Sequence, residues 1–193
     1  MKRRIIAITG GIGAGKSVVS AVLKIAGYGV YDCDQRAKEL MNFSPAIRQA
    51  LVEHFGSEIY LNGTINRQLL SNIIFNDSSA LAFVNSVVHP AVRADIKEWT
   101  TKQHRMPAFV ETAILKEGGL DAIVDEVWNV TAPLETRISR VMRRNATTRD
   151  KVLERIATQH DHVECPGTRV IEIVNDDTTA LLPQILHATE SDN

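Results

Sequence analysis

Gly10-Gly11-Ile12-Gly13-Ala14-Gly15-Lys16-Ser17 decides how this 193-residue chain is read. The stretch fits the pattern G-x-x-x-x-G-K-[ST] in full. A short apolar run of strand length, Arg3-Arg4-Ile5-Ile6-Ala7-Ile8-Thr9, precedes it, and from Val18 to Ala26 apolar residues recur at helical spacing. Strand, glycine-rich loop and helix in that order form a phosphate-binding setting. The glycines let the backbone turn tightly enough to aim successive N–H groups at phosphate oxygens, and the helix adds the positive end of its dipole. The residues expected to hold a nucleotide are therefore Gly11, Ile12, Gly13, Ala14, Gly15, Lys16, Ser17 and Val18. Lys16 reaches the β- and γ-phosphates and the Ser17 hydroxyl coordinates Mg²⁺. A nucleoside triphosphate is the expected ligand.

Composition bounds the rest. Hydrophobic residues at 44% and charged residues at 23% are ordinary for a soluble protein, and the length suits one globular core with small excursions. A net charge of −1 removes any general electrostatic case for nucleic acid or an anionic membrane surface as partner. The longest apolar runs are strand-sized, so no membrane span is expected. Lys2, Arg3 and Arg4 are followed by too short an apolar stretch for a cleaved signal, whose removal would also destroy the loop. Cys33 and Cys165 lie far apart without metal-ligand spacing. They suit free thiols in a reducing compartment, so a cytoplasmic location is expected.

Working outward, Arg4–Thr9, Gly29–Asp32, Ala108–Thr112, Glu126–Thr131 and Arg169–Val174 read as strands. They are apolar nearly throughout, as parallel strands covered on both faces are. Helical patterns separate them, which predicts an α/β fold with right-handed crossovers. Between the second and third strands, Asp34–Met41, Pro45–Phe55, Arg67–Phe75 and Ser78–His104 are helical, with His89-Pro90 interrupting the last. An excursion of that size reads as a helical insertion beside the sheet. A smaller one follows the fourth strand: a helix from Pro133 to about Arg144, a break at Asn145–Thr148, a helix to about His160 and a loop from Asp161 to Thr168. The chain end from about Thr189 reads as frayed.

Several side chains outside the loop could carry chemistry. Asp32 and Asp34 sit at the carboxyl end of the second strand, where ligands of open parallel sheets bind, so both are expected to share a crevice with the loop. One carboxylate there orients an acceptor hydroxyl or takes its proton, and another holds magnesium; the competing reading makes Asp34 a helix N-cap. Arg137, Arg140 and Arg144 share a helical face, with Arg143 and Arg149 close by. Such guanidinium forks suit the charge of phosphoryl transfer, though a solvated helix face is the alternative. Arg67 either binds an anionic acceptor or pairs with an acid, and His89 is either a contact or a structural histidine. Asn175 either reads a nucleobase edge or stabilises a turn. Glu111 and Glu117 flank the end of the third strand.

The ordered set of motifs resembles the dephospho-coenzyme A kinase family over nearly the whole chain. It runs from Ile8–Ser17 through Val30-Tyr31-Asp32-Cys33-Asp34 and Gly63-Thr64-Ile65-Asn66-Arg67 to Ile74-Phe75. His89-Pro90, Ala113–Glu117, Thr148-Arg149, Arg155–Gln159 and Val174-Asn175 complete it. The resemblance implies a three-layer P-loop NTPase fold with a five-stranded parallel sheet, a helical acceptor-binding insertion and a small helical lid. The segments it implies are core at 1–33, 105–141 and 166–193, insertion at 34–104 and lid at 142–165. It also implies ATP with Mg²⁺, transfer to the ribose 3′-hydroxyl of dephospho-CoA, and a monomer or small homo-oligomer. Carried over by position, Asp34 is the catalytic carboxylate, Asp32 a supporting and magnesium-side one, and Arg140 an arginine that closes on ATP. Arg67, His89 and Glu117 fall on the acceptor side and Asn175 near the adenine. Three positions depart from the family's usual residues: Val18 replaces a common Thr, Cys33 a small Ala, and Lys116 an aromatic before Glu117.

Overall fold

The run that precedes the glycine-rich loop forms β1 (Ile5–Thr9), buried at every position, in a computed structural model that describes residues 3–158 and 165–190. Then come α1 (Lys16–Ile25), β2 (Val30–Asp32), α2 (Cys33–Phe43), α3 (Pro45–Phe55), β3 (Tyr60–Leu61) and β4 (Thr64–Ile65). They are followed by α4 (Arg67–Asn76), α5 (Ser78–Thr101), β5 (Ala108–Glu111) and β6 (Glu126–Thr131). The last elements are α6 (Leu134–Asn145), α7 (Arg149–Ala157), β7 (Arg169–Val174) and α8 (Leu181–Glu190). Two compact units result, Met1–Tyr31 with Lys102–Asn193, and Asp32–Thr101. No helix among the described residues is long and apolar enough to cross a membrane.

The first unit carries the five-stranded sheet, in the order β2-β5-β1-β6-β7. β1 pairs in parallel with both β5 and β6, and β6 in parallel with β7. The central strands are apolar because both their faces are covered. Ile6, Ile8, Phe109, Trp128 and Val130 join Val19 and Leu23 of α1 and Ile185 of α8 in one core. The fifth strand is less covered than its sequence suggests. β7 is the sheet edge, and only Ile173 of its six residues is buried.

At the amino ends of the strands, the buried Glu126 carboxylate ties three of them together. It accepts from Arg4 at 2.7 Å and from the Trp128 indole at 2.7 Å, and lies 3.6 Å from Arg169. Removing one partner of a buried ion pair costs about 3–5 kcal/mol because the others lose their compensation. Glu126→Ala should therefore lower the melting temperature by about 6–20 °C. A thermal unfolding curve superimposable on the parent's would remove Glu126 from this role.

The second unit is built on α5, against which α2, α3 and α4 pack. Its buried stripe is Ala80, Val84, Val88, Val92, Ile96 and Thr100. That spacing runs unbroken through Pro90, so the helix continues where the sequence suggested an interruption. Packing on both sides outweighs the roughly 3 kcal/mol that an interior proline costs. Arg36 of α2 holds Asp95 of α5 through two hydrogen bonds of 2.8 and 2.9 Å. The β3–β4 hairpin was not expected, although Asn62-Gly63 is a strong signal for one: both residues adopt positive φ, as the tight primed turn requires.

At the chain end, α8 extends over Thr189, whose hydroxyl bonds back to Ile185 and Leu186, so this residue is helical rather than frayed. The helix expected to reach His160 ends at Ala157. His160 itself and the start of the following loop, Asp161 onward, lie outside the described residues.

Candidate active site

β1 ends at Thr9 in mid-sheet, and the glycine-rich loop delivers the chain into α1, for which Gly15 is the N-cap. Gly15 has a φ of 98°, and a Cβ there would meet the Asn175 amide nitrogen at 2.0 Å. Only glycine permits that approach. The Lys16 ammonium folds over the loop, donating to the carbonyls of Gly10 at 2.8 Å and Gly11 at 3.4 Å. Ser17 and Val18 follow as exposed residues on the first turn of α1.

Two elements from the far end of the sequence seat this loop. Asn175 follows β7 directly, its N–H bonded to Thr131 of β6, and its side-chain amide donates to the Ala14 carbonyl at 2.9 Å. From α6, Arg140 donates to the carbonyls of Gly13 and Ala14, both at 3.3 Å, and to that of Asn175 at 3.0 Å. The same guanidinium meets the Asp177 carboxylate at 2.5 Å. Arg137, one turn earlier and buried, donates through Nε to the Ile12 carbonyl at 2.9 Å. The loop after β7 is itself fixed by Asp176, which accepts from Thr178 and Thr179. Those bonds, the Thr179 N–H foremost, hold its carboxyl well below the usual carboxylate range.

The five arginines that share one stretch of sequence therefore part company. Arg137 and Arg140 turn to the loop. Arg144 bonds to Asn145, and Arg149 pairs with Glu135 through two 2.7 Å contacts. Arg143 is exposed. Arg137 was expected only as one of a group of arginines suited to phosphoryl transfer, without a partner of its own, and Asp177 was not among the expected site residues. Arg137 was visible only as a member of the charged face, and nothing local distinguished Asp177.

In the second unit, Asp32 rather than Asp34 caps α2, its carboxylate accepting from the Gln35 N–H at 2.9 Å. The alternative role for Asp34 as N-cap is thereby overturned. Asp34 lies exposed in the first helical turn, with no side-chain hydrogen bond or ion pair among the described residues. Arg67 is the exposed first residue of α4, just after its cap Asn66, and His89 is half-buried in the middle of α5. Glu117 belongs to the first unit, exposed in the turns that follow β5, as is Lys116. Cys33 and Cys165 are free thiols, as expected. No group of three His, Cys, Asp or Glu side chains among the described residues could hold a metal ion.

A parallel sheet with β1 at its centre, a phosphate-type loop opening α1 and an arginine clamp from α6 define a nucleotide-binding α/β protein of the phosphate-loop class. Comparison with known proteins narrows this. The family model for dephospho-CoA kinase (CoaE) matches residues 4–180. A dephospho-CoA kinase from Bacteroides fragilis is 37% identical over 183 residues, covering 94% of this chain and 89% of that protein. One from Porphyromonas gingivalis is 36% identical over 187 residues, covering 96% and 93%. Among solved structures, TT1252 from Thermus thermophilus superposes with a TM-score of 0.79 at 32% identity, covering 99% of this chain and 96% of that one. A dephospho-CoA kinase from Campylobacter jejuni shares the fold with a TM-score of 0.70 at 20% identity, covering 98% and 97%. The chain belongs to the dephospho-CoA kinase family.

Proposed function

We propose that this kinase transfers the γ-phosphoryl group of ATP to the ribose 3′-hydroxyl of dephospho-CoA, the final step of coenzyme A synthesis, with Asp34 as the carboxylate that receives the hydroxyl proton. The match of residues 4–180 to the dephospho-CoA kinase family carries the donor and acceptor assignment, and the division of labour at the start of α2 supports the choice of Asp34. Asp32 satisfies the helix end, so the neighbouring Asp34 carboxylate is not committed to structure. An orienting or proton-accepting group contributes about 10²–10⁴-fold to such a reaction.

Phosphoryl transfer asks little covalent chemistry of a protein, so positioning and charge stabilisation dominate. The loop N–H groups and the amino end of α1 bind the phosphates, and Lys16 moves from its own loop carbonyls onto the β- and γ-phosphate oxygens. Arg140 adds positive charge beside the nucleotide, with Asn175 on the base side. Arg67, His89 and Glu117 bind the acceptor. The described residues provide no closed cage of protein ligands for a metal, but the Ser17 hydroxyl is exposed and carries no side-chain hydrogen bond among them. That suits Mg²⁺, which takes few protein ligands and completes its shell with water and phosphate oxygens. Ser17 would hold it, and the ion would neutralise charge on the phosphates. The expected lid at 142–165, of which residues 159–164 lie outside the described residues, would exclude water, and a cytoplasmic location fits free thiols and a metabolite substrate.

The test is an acceptor panel with purified enzyme, ATP and Mg²⁺. ADP should form with dephospho-CoA, not with AMP or CMP, and chelation of the metal should stop it. Equal turnover with a nucleoside monophosphate would replace this acceptor assignment by that of another kinase of the same architecture.

A further inference from the structure

The phosphate loop is gripped from behind. A trans peptide points its C=O and N–H to opposite sides, so whatever binds a loop carbonyl also aims the N–H of the next residue. Three consecutive carbonyls are held in this way. Ile12 accepts from Arg137, Gly13 from Arg140, and Ala14 from both Arg140 and Asn175. The matching N–H groups belong to Gly13, Ala14 and Gly15. That of Ala14 spans the loop to the Gly11 carbonyl at 3.2 Å, while those of Gly13 and Gly15 have no partner among the described residues. A carbonyl that accepts a hydrogen bond from a cation makes the N–H of the same peptide a better donor, by about 10–30% per bond.

Residue 12 is held at both ends. Its carbonyl takes the Arg137 hydrogen bond, and its side chain packs into the small core of Ile138, Val141, Val152 and Ile156. Gly13 lies flat on the same helix. Its φ is 79°, and a Cβ there would meet the Arg137 carbonyl oxygen at 2.6 Å. The first turns of α6 therefore form the floor on which the loop rests.

We propose that Arg137 is a positioning residue for ATP: by holding the Ile12 carbonyl it orients and polarises the Gly13 N–H toward the nucleotide phosphates without touching them. This rests on the kinase reading for its ligand but not for its geometry. Once the Gly13 N–H swings out of line, ATP loses one charge-assisted hydrogen bond, which is worth about tenfold in binding. Arg137→Met, of similar length but without a donor, should raise KM for ATP about tenfold, lower kcat at saturating ATP less than about threefold, and leave KM for dephospho-CoA within about twofold. Arg137→Gln, which keeps an N–H donor, should recover part of the loss. Direct titration of ATP without acceptor, by calorimetry, should show the same order of affinities. Should both variants bind ATP as the parent does, whether or not Arg137→Met melts earlier, Arg137 is merely structural and the proposal fails. A parent enzyme that binds ATP yet phosphorylates no dephospho-CoA would instead overturn the acceptor assignment, and the titration would still decide the role of Arg137.

Discussion

Asp34→Asn should lower kcat by about 10²–10⁴-fold while ATP affinity stays within about twofold of the parent. Asparagine keeps the size and one carbonyl oxygen of aspartate but loses the negative charge and cannot take a proton at neutral pH. The substitution is a clean one because Asp32, not Asp34, accepts the Gln35 N–H that ends the helix. The start of α2 therefore keeps its cap, and circular dichroism and melting temperature should remain those of the parent. The effect should appear in kcat and not in the binding of either substrate, since the interaction matters only as the hydroxyl loses its proton. Steady-state kinetics with both substrates varied reads this directly. Turnover within about threefold of the parent would remove Asp34 from the chemistry, because a proton-accepting group is worth far more.

Lys16→Ala should impair both stages of the reaction. In the described structure the ammonium rests on the Gly10 and Gly11 carbonyls, so a positive charge already sits at the loop. On binding, it trades those neutral acceptors for phosphate oxygens, and it gains most when charge develops during transfer. KM for ATP should rise about tenfold or more, the scale of one charge-assisted hydrogen bond, and kcat should fall about 10²–10³-fold, as for loss of an electrostatic stabiliser. Lys16→Arg should restore binding better than turnover, because a planar fork does not replace a point charge in so tight a turn. An alanine variant with unchanged KM and reduced kcat alone would mean that the ammonium does not contact ATP in the ground state.

The two variants separate the halves of the proposed mechanism. Lys16 belongs to the unit that holds the sheet, and Asp34 to the unit built on α5. A defect in ATP titration belongs to the first and a defect in turnover alone to the second. Arg140 stands between these expectations. Its four terminal N–H groups have the Gly13, Ala14 and Asn175 carbonyls and the Asp177 carboxylate as acceptors. To close on a phosphate through them, it must give up one of these contacts.

What the amino-acid order alone determined is whatever is written contiguously. The loop Gly10–Ser17 and its flanking strand and helix were legible because each requirement, φ freedom, charge and hydroxyl, is met by neighbours in the chain. The strand positions were legible for the same reason, as was the long helical excursion, since apolar runs and helical periodicity are local patterns. Tertiary structure decided the rest. Val170 and Ile171 read as buried until β7 proved to be the sheet edge, because the number of neighbours a strand has is not a property of its own residues. Asp34 carried helix capping as its competing reading until the helix began at Cys33 and Asp32 became its cap. Arg137 and Arg144 looked alike until Ile138 and Val141 buried one side of α6 beside Ile12, turning the first arginine to the loop and leaving the second exposed. Residue type sets what a side chain can do; the packing of distant segments sets which atom it meets.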